Sequence, residues 1–315
     1  MDFSVGFNGI VSDLYKIIEL NAPIESVYSG GIAGYIAGGR PQYLGNFEEI
    51  SKCTKVAHAN GLKYEVALNA PCGLENKNNR NYWIKIHNYL IELERCGVDR
   101  IIASHPFFIE EVKKYTNMQC VASTICEINS ARMAQYYEEI GADIIIPSMN
   151  INFDMKVLKK IKKILKKAKL RIMVNEHCLG DCPWRRFHHN HYSHHNEEID
   201  YHFHCKKKFL TTPFLLLTNN CIRPEDLKHY TEITNNFKIV GRLVDIEILC
   251  KRIQGYAECK WNDNYVELFD NGLAKKIMLP NDRLESLFQM KVNCDKVCGD
   301  CGYCKRLYDE IKSEP

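Results

Sequence analysis

Short β-rich runs alternate with helical stretches through the first 175 residues, and this alternation constrains the fold more than any other feature. The runs are FSVGF (3–7), SVYSG (26–30), KYEVALN (63–69), RIIAS (100–104), QCVAST (119–124), ADIIIP (142–147) and LRIMVN (170–175). Between them, Phe47 to His58, Tyr82 to Cys96 and Ser130 to Ile140 read as helices. In the second of these, Ile84, Ile86, Leu90, Ile91 and Leu93 recur near helical spacing. An eighth strand, FKIVG (237–241), follows a helix expected to start near Pro224, where proline in the first turn with acids beside it is a start signal. A last helix is expected over Leu243 to Ile253.

Eight evenly spaced strands, most followed by a helix, predict an α/β fold, a (β/α)8 TIM-like barrel. A doubly wound sheet is the competing arrangement. The barrel would occupy 1–255 and carry a Cys/His-rich insertion, 176–236, after strand seven. A small Cys-rich extension, 256–315, would follow. The stretch KVLKKIKKILKKAKLR (156–171) is expected to form an amphipathic helix with a solvated basic face, with contact to RNA or to an acidic partner as the alternative.

Charge and composition exclude several classes. The chain has 315 residues, 42 Lys+Arg against 39 Asp+Glu, and 45% apolar residues. That near-neutral balance argues against coating nucleic acid, and the apolar share against disorder. No apolar run approaches the ~18 residues of a membrane helix, so no membrane insertion is expected. The start, MDFSVGFNGI, has an acid at Asp2 and no basic lead, so a cytoplasmic location is expected.

Fifteen cysteines then need an account other than disulfides. Cys53, Cys72, Cys96, Cys120, Cys126, Cys250 and Cys259 are scattered and read as small buried hydrophobes. The others are grouped. Cys178, Cys182, Cys205 and Cys221 fall in the insertion, where eight of the 12 histidines lie between His177 and His204. Thiolate and imidazole are the ligands zinc, iron and iron–sulfur clusters favour. Gly180 lets the loop fold back and Pro183 stiffens its exit. The insertion starts at the C-terminal end of strand seven, the face where barrels build active sites. The tail, CDKVCGDCGYC, sets Cys294, Cys298, Cys301 and Cys304 at spacings suited to a [4Fe–4S] cluster or to zinc.

These residues resemble a known family. VYSGG (27–31), NFEEI (46–50), VAHANGLKYEVALN (56–69), GVDRIIASHP (97–106), VASTICEINS (121–130) and GADIIIP (141–147) are similar, in order, to the barrel half of the collagenase-like, unclassified peptidase family thirty-two. EHCLGDC (176–182), IRPEDL (222–227) and KIVGR (238–242) resemble its insertion and following strand. The resemblance implies an iron–sulfur barrel enzyme. Some members were named peptidases, while better understood ones are oxygen-independent hydroxylases acting on RNA or ubiquinone precursors. It also implies Cys178, Cys182, Cys205 and Cys221 as ligands of one [4Fe–4S] cluster; the tail cysteines are a departure from the family, and a second cluster or zinc there is expected from their spacing alone.

Groups at the strand ends would then line the pocket. Glu176 and His177 are the acid–base candidates, Arg242 would grip a carboxylate or phosphate, and Asn175 and His105 complete the candidate catalytic set. The substrate class stays open among RNA, a peptide and a small anionic molecule. Two other readings stand beside this one. The first is a metal-stapled subunit without chemistry of its own, partnering a second barrel or an electron donor. The second is a zinc- or cysteine-dependent peptidase, although no HExxH or GxSxG occurs.

Overall fold

The computed structural model describes residues 1–32, 35, 44–72, 80–193 and 202–312, the side chains of 192 and 202–204 apart. The strands are β1 (Asp2–Gly6), β2 (Ile24–Gly30), β3 (Lys63–Leu68), β4 (Arg100–Ala103), β5 (Gln119–Ala122), β6 (Ile144–Ile145), β7 (Lys169–Leu170), β8 (Ile172–Met173) and β9 (Asn236–Ile239). All pair in parallel, in the order β7-β6-β5-β4-β3-β2-β1-β9-β8. Strands β7 and β8 are one run that changes neighbours at Arg171. The Arg171 N–H donates to the Ile145 carbonyl at 2.9 Å, and the next two residues pair with β9. The sheet thereby closes into the (β/α)8 TIM-like barrel that the sequence predicts.

The barrel helices are α1 (Val11–Glu19), α2 (Phe47–Ala59), α3 (Arg80–Arg95), α4 (Pro106–Tyr115), α5 (Ala131–Glu139) and α6 (Met155–Ile164). The insertion adds α7 (Arg185–Ser193) and α8 (His202–Thr211). Then come α9 (Ile246–Ala257), α10 (Asn271–Ala274), α11 (Leu287–Val292), α12 (Cys298–Cys301) and α13 (Tyr303–Ile311). Side chains of Asn46, Ser130, Asp154 and Asp245 accept from backbone N–H groups of the first turn and set the starts of α2, α5, α6 and α9. The chain from Trp261 to Phe288 shares one apolar cluster with the barrel helices through Tyr265, Leu268, Leu279 and Leu287.

Two expected helices differ. The lysine helix stops at Ile164, because Glu138 accepts the N–H groups of Lys166, Lys167 and Ala168 at 3.0, 2.7 and 2.7 Å and turns the chain into β7. Arg171 is therefore buried inside the barrel, not on a basic face. The segment Pro224–Tyr230 is a tighter 3₁₀ run, held by the Arg223–Asp226 pair at 2.9 and 3.1 Å.

Period-two alternation separates two environments. Outward residues such as Val5, Val27, Val66 and Ile101 pack under the helices. Inward residues Tyr28, Ala67, Ile102, Val121, Ile144 and Met173 form a separate apolar layer within the barrel. Beneath it, at the N-terminal ends of the strands, lies a charged layer. Glu65 is fully buried and faces Arg100 across the β3–β4 register. Arg100 Nη1 donates to it at 3.0 Å, Arg171 Nη1 at 2.9 and 3.0 Å, and Ser26 Oγ at 2.7 Å. Glu25 takes the outer nitrogens of the same guanidiniums at 2.6 and 3.1 Å, and Arg171 Nε donates to Asn236.

Burial alone would raise the Glu65 carboxyl, but Arg171 and Arg100 outweigh it and hold the group at about 2. Glu25 is held at about 2 by Arg100 and Arg171, again against the opposing effect of burial. A carboxylate depressed in the folded state stabilises fully above its ordinary value of 4.5, and that stability is lost as pH falls toward about 2. Glu65→Gln leaves two buried guanidiniums partly uncompensated and should cost about 3–5 kcal/mol at neutral pH. Urea midpoints from pH 7 down to 2 test this: the wild type should lose stability steeply below 4.5 and the variant less steeply. Parallel curves would contradict it.

Candidate active site at the barrel mouth

At the opposite, C-terminal end the strands stop in polar residues, because side chains there point past the apolar layer into the loops. A cavity of about 50 Å³ opens at this mouth, bordered by Tyr28, Asn69, Glu176, His189, Lys238 and Arg242. Glu176 follows β8 and is 4% exposed; Arg242 follows β9 and is 7% exposed. His177 Nδ1 lies 3.4 Å from Glu176 Oε1, and the His177 N–H donates to the same oxygen at 3.2 Å. Asn69 donates to Ser123 Oγ at 2.9 Å and ties two strand ends together. Helix α7 crosses the mouth, with buried His189 on the cavity and Arg185 paired to Glu127 at 3.4 Å.

The structure places Glu176 and Arg242 on this cavity, with His177 against Glu176 beside it. Asn175 is adjacent but occupied: it accepts from the Val240 N–H at 2.6 Å and donates to the Val240 and Leu268 carbonyls at 3.0 and 3.2 Å. It clamps β9 and the extension onto the segment after β8, which makes it a positioning residue. His105 precedes α4 and borders a neighbouring recess of about 390 Å³ with Ser104, Arg186 and His189. Asn150 accepts from the Asp181 N–H and from Asn220, outside the mouth.

Two residues of this region escaped the sequence reading. Lys238 is a lone cation at an inward position of an otherwise apolar strand, and that position was its only signal. Its Nζ lies 3.8 Å from the Tyr28 ring centroid, with Arg242 Cζ 5.9 Å from the same centroid. Desolvation lowers the Lys238 ammonium to about 7, with Arg171 and Arg242 adding to the fall and Glu65 and Glu176 opposing it. Lys291 is the second: buried, it donates to the Asn219 carbonyl at 2.7 Å and stands at about 8 through desolvation.

The grouped cysteines separate in space. Cys178 packs on the apolar layer inside the barrel. Cys182 and Cys205 are half-buried neighbours, and burial together with Cys182 raises the Cys205 thiol. Cys221 is buried beside the Tyr256 hydroxyl, 3.9 Å away, and burial pushes it up to about 11. In the tail, Cys298 and Cys301 lie on the single turn α12. Gly302, at φ 60°, reverses the chain so that Cys304 opens α13. Burial pushes Cys304 up to about 11; Lys291 opposes this, while Cys294, Cys298 and Cys301 add to it. Lys296 joins the tail to the insertion loop through Asp181 at 2.8 Å. Between them lies a cavity of about 730 Å³ bordered by Lys156, Lys208, Lys291, Lys296, Cys294 and Cys304. Among the described residues no three His, Cys, Asp or Glu side chains converge to a metal cage. His194 and His195, and the side chains of His202 and His204, lie outside the described residues. Of the seven scattered cysteines, Cys53, Cys120 and Cys126 are buried in the outer core as expected, whereas Cys72, Cys96, Cys250 and Cys259 are only half-buried. Among the described residues no helix is long and apolar enough to cross a membrane.

Comparison with known proteins agrees with this architecture. The model of peptidase family U32 matches residues 17–267. The uncharacterized protease MJ1657 of Methanocaldococcus jannaschii is 29% identical over 315 residues, covering 96% of this chain and 94% of that protein. The structure of the U32 peptidase Mk0906 superposes with a TM-score of 0.58 at 15% identity, covering 76% of this chain and 92% of that one, and it shares the fold.

Asn175→Ala removes three backbone bonds from a buried site and should cost about 1–3 kcal/mol. Chemical denaturation checks the loss. Hydrogen exchange should quicken at Val240 and the residues next to it; exchange unchanged there would remove the clamp assigned to Asn175.

Proposed function

The chain belongs to peptidase family U32, and we propose that it is an iron–sulfur barrel enzyme that modifies a small anionic group admitted at the barrel mouth. The observation that carries this reading is the convergence of Glu176, Arg242 and Lys238 on one cavity at the C-terminal face, with His177 against Glu176 behind it. About 50 Å³ holds only about four water-sized groups, so a reacting end enters and a polypeptide backbone does not.

The donor chemistry fits a thiolate-held group. In the tail, set by one helical turn and a glycine reversal, burial and the neighbouring thiols raise the cost of ionising Cys298 and Cys304, and a cation among them removes that cost. Cys294, Cys298, Cys301 and Cys304 would hold one group, a cluster or zinc. Cys178, Cys182, Cys205 and Cys221 are the family-like set for a [4Fe–4S] cluster. Of these, Cys182 and Cys205 are already neighbours, and Cys221 would have to leave its place beside Tyr256. When bound, such a cluster supplies one-electron chemistry or polarises a substrate oxygen.

The chain's own groups do the rest. Arg242 takes a carboxylate or phosphate in a two-pronged bond. Glu176, within reach of His177 Nδ1, passes protons between cavity and loop. Helix α7 and His189 cover the mouth and limit water. As a cysteine peptidase the site is poorly suited: burial raises the thiols of Cys205 and Cys221, whereas a nucleophile needs a lowered one.

Protein purified without oxygen should contain iron and acid-labile sulfide and show a broad visible charge-transfer band. Cys178→Ala should lower the iron content while the tail keeps its metal. The pair Cys298→Ala and Cys301→Ala should do the reverse. Zinc in both sites with no sulfide would overturn the iron–sulfur reading, and iron unchanged in both variants would overturn the ligand sets.

A further inference from the structure

The Lys238 ammonium lies over the Tyr28 ring and has no carboxylate in direct contact among the described residues. The carboxylate below it, Glu65, already takes two guanidiniums and the Ser26 hydroxyl. Among the described residues no hydrogen bond or ion pair engages the Lys238 Nζ, which lies over the Tyr28 ring and borders the mouth cavity. A lysine desolvated in a barrel and set beside a second cation is the form in which the amine acts as a nucleophile. The second cation here is Arg242, also on the cavity.

We infer that Lys238 is a nucleophilic lysine that captures a small 2-oxo acid as an imine, with Arg242 gripping the acid's carboxylate. The neutral amine adds to the carbonyl carbon: the C–N bond forms, the C=O π pair moves to oxygen, and a proton passes from nitrogen to that oxygen. Protonation of the hydroxyl by a proton from solvent expels water and leaves the iminium. No oxidant or reductant is required. A 2-oxo acid matches the site because its carbonyl and carboxylate are adjacent, as are the amine and the guanidinium that border this cavity. This inference rests on the mouth being the reaction centre, not on the metal.

The test is reductive trapping on the full-length protein as purified, using pyruvate and sodium cyanoborohydride, read by intact mass and peptide mapping. The expected result is one reduced pyruvate adduct on the peptide carrying Lys238, absent in Lys238→Arg. Its rate should rise through about pH 7, not through the ordinary lysine value of 10.5. The charged and titratable groups facing the amine are Glu65 on β3, Arg171 between β7 and β8, Glu176 and Arg242 on the mouth loops, and His189 on α7. Should Lys238→Arg fail to fold, Arg242→Gln serves: it should lower trapping of pyruvate about tenfold relative to trapping of propionaldehyde, which has no carboxylate. Adducts spread over surface lysines, or an equal effect on both probes, would overturn the inference. An adduct at Lys238 in protein without sulfide would sustain it while the iron–sulfur reading fails. Protein with an intact cluster and no adduct would do the reverse.

Discussion

The buried charge layer of Glu65, Arg100 and Arg171, with Glu25 at its rim, is the constraint on which the rest of this barrel depends. Eight strands cannot close without filling their axis, and the N-terminal end here is filled by ions, not by apolar side chains. Such a layer is stable only when every member is paired, since an unpartnered charge in this environment costs several kcal/mol. The contact of Arg171 Nη1 with both Glu65 oxygens and the shared grip of both arginines on Glu25 meet that requirement. They also hold Arg171 where the chain passes from β6 to β9, so the same residue seals the bottom of the barrel and joins its two edges.

This arrangement decides what the other end can be. With the lower end filled by charge and the middle by Tyr28, Ile102, Val121 and Met173, the cavity bordered by Glu176, Lys238 and Arg242 opens at the C-terminal mouth. The polar groups there sit between a low-dielectric floor and the cover of α7. A lysine in that position sheds its proton readily, and an arginine that cannot shed its own becomes the anion site. Asn175 couples the mouth to the extension through the Leu268 carbonyl, so the residues after the barrel help to position the strand ends.

The cysteines follow a different logic. A buried thiol such as Cys120 or Cys126 is a packing residue because its charged form is expelled by the core, while the exposed tail thiols Cys294, Cys298 and Cys301 have no packing to justify their number. Their spacing is a local feature, and it was legible without any structure. The division of the insertion thiols was not. Cys182 meets Cys205 through the return of α8, whereas Cys221 turns into the core beside Tyr256, and neither event leaves a mark in the spacing of the motif.

What the chain's sequence determined by itself is what short-range geometry controls. Period-two alternation and cap residues such as Ser130 specify strands, helix starts and which face of each strand looks inward. Even spacing of eight such units then leaves a closed barrel as the economical arrangement. Glu176, His177 and Arg242 were accessible for the same reason, since a residue just past a barrel strand must lie at its mouth. Tertiary structure alone decided which inward residues meet. Glu65 lies 35 residues from Arg100 and 106 from Arg171, and no local pattern links them. The lysine-rich stretch looked helical to its end, yet it was cut short by Glu138, a carboxylate 28 residues away. Lys238 reads in sequence as one cation in a strand; only closure of the barrel removes its water, and desolvation is a property of what surrounds a residue, not of the residue.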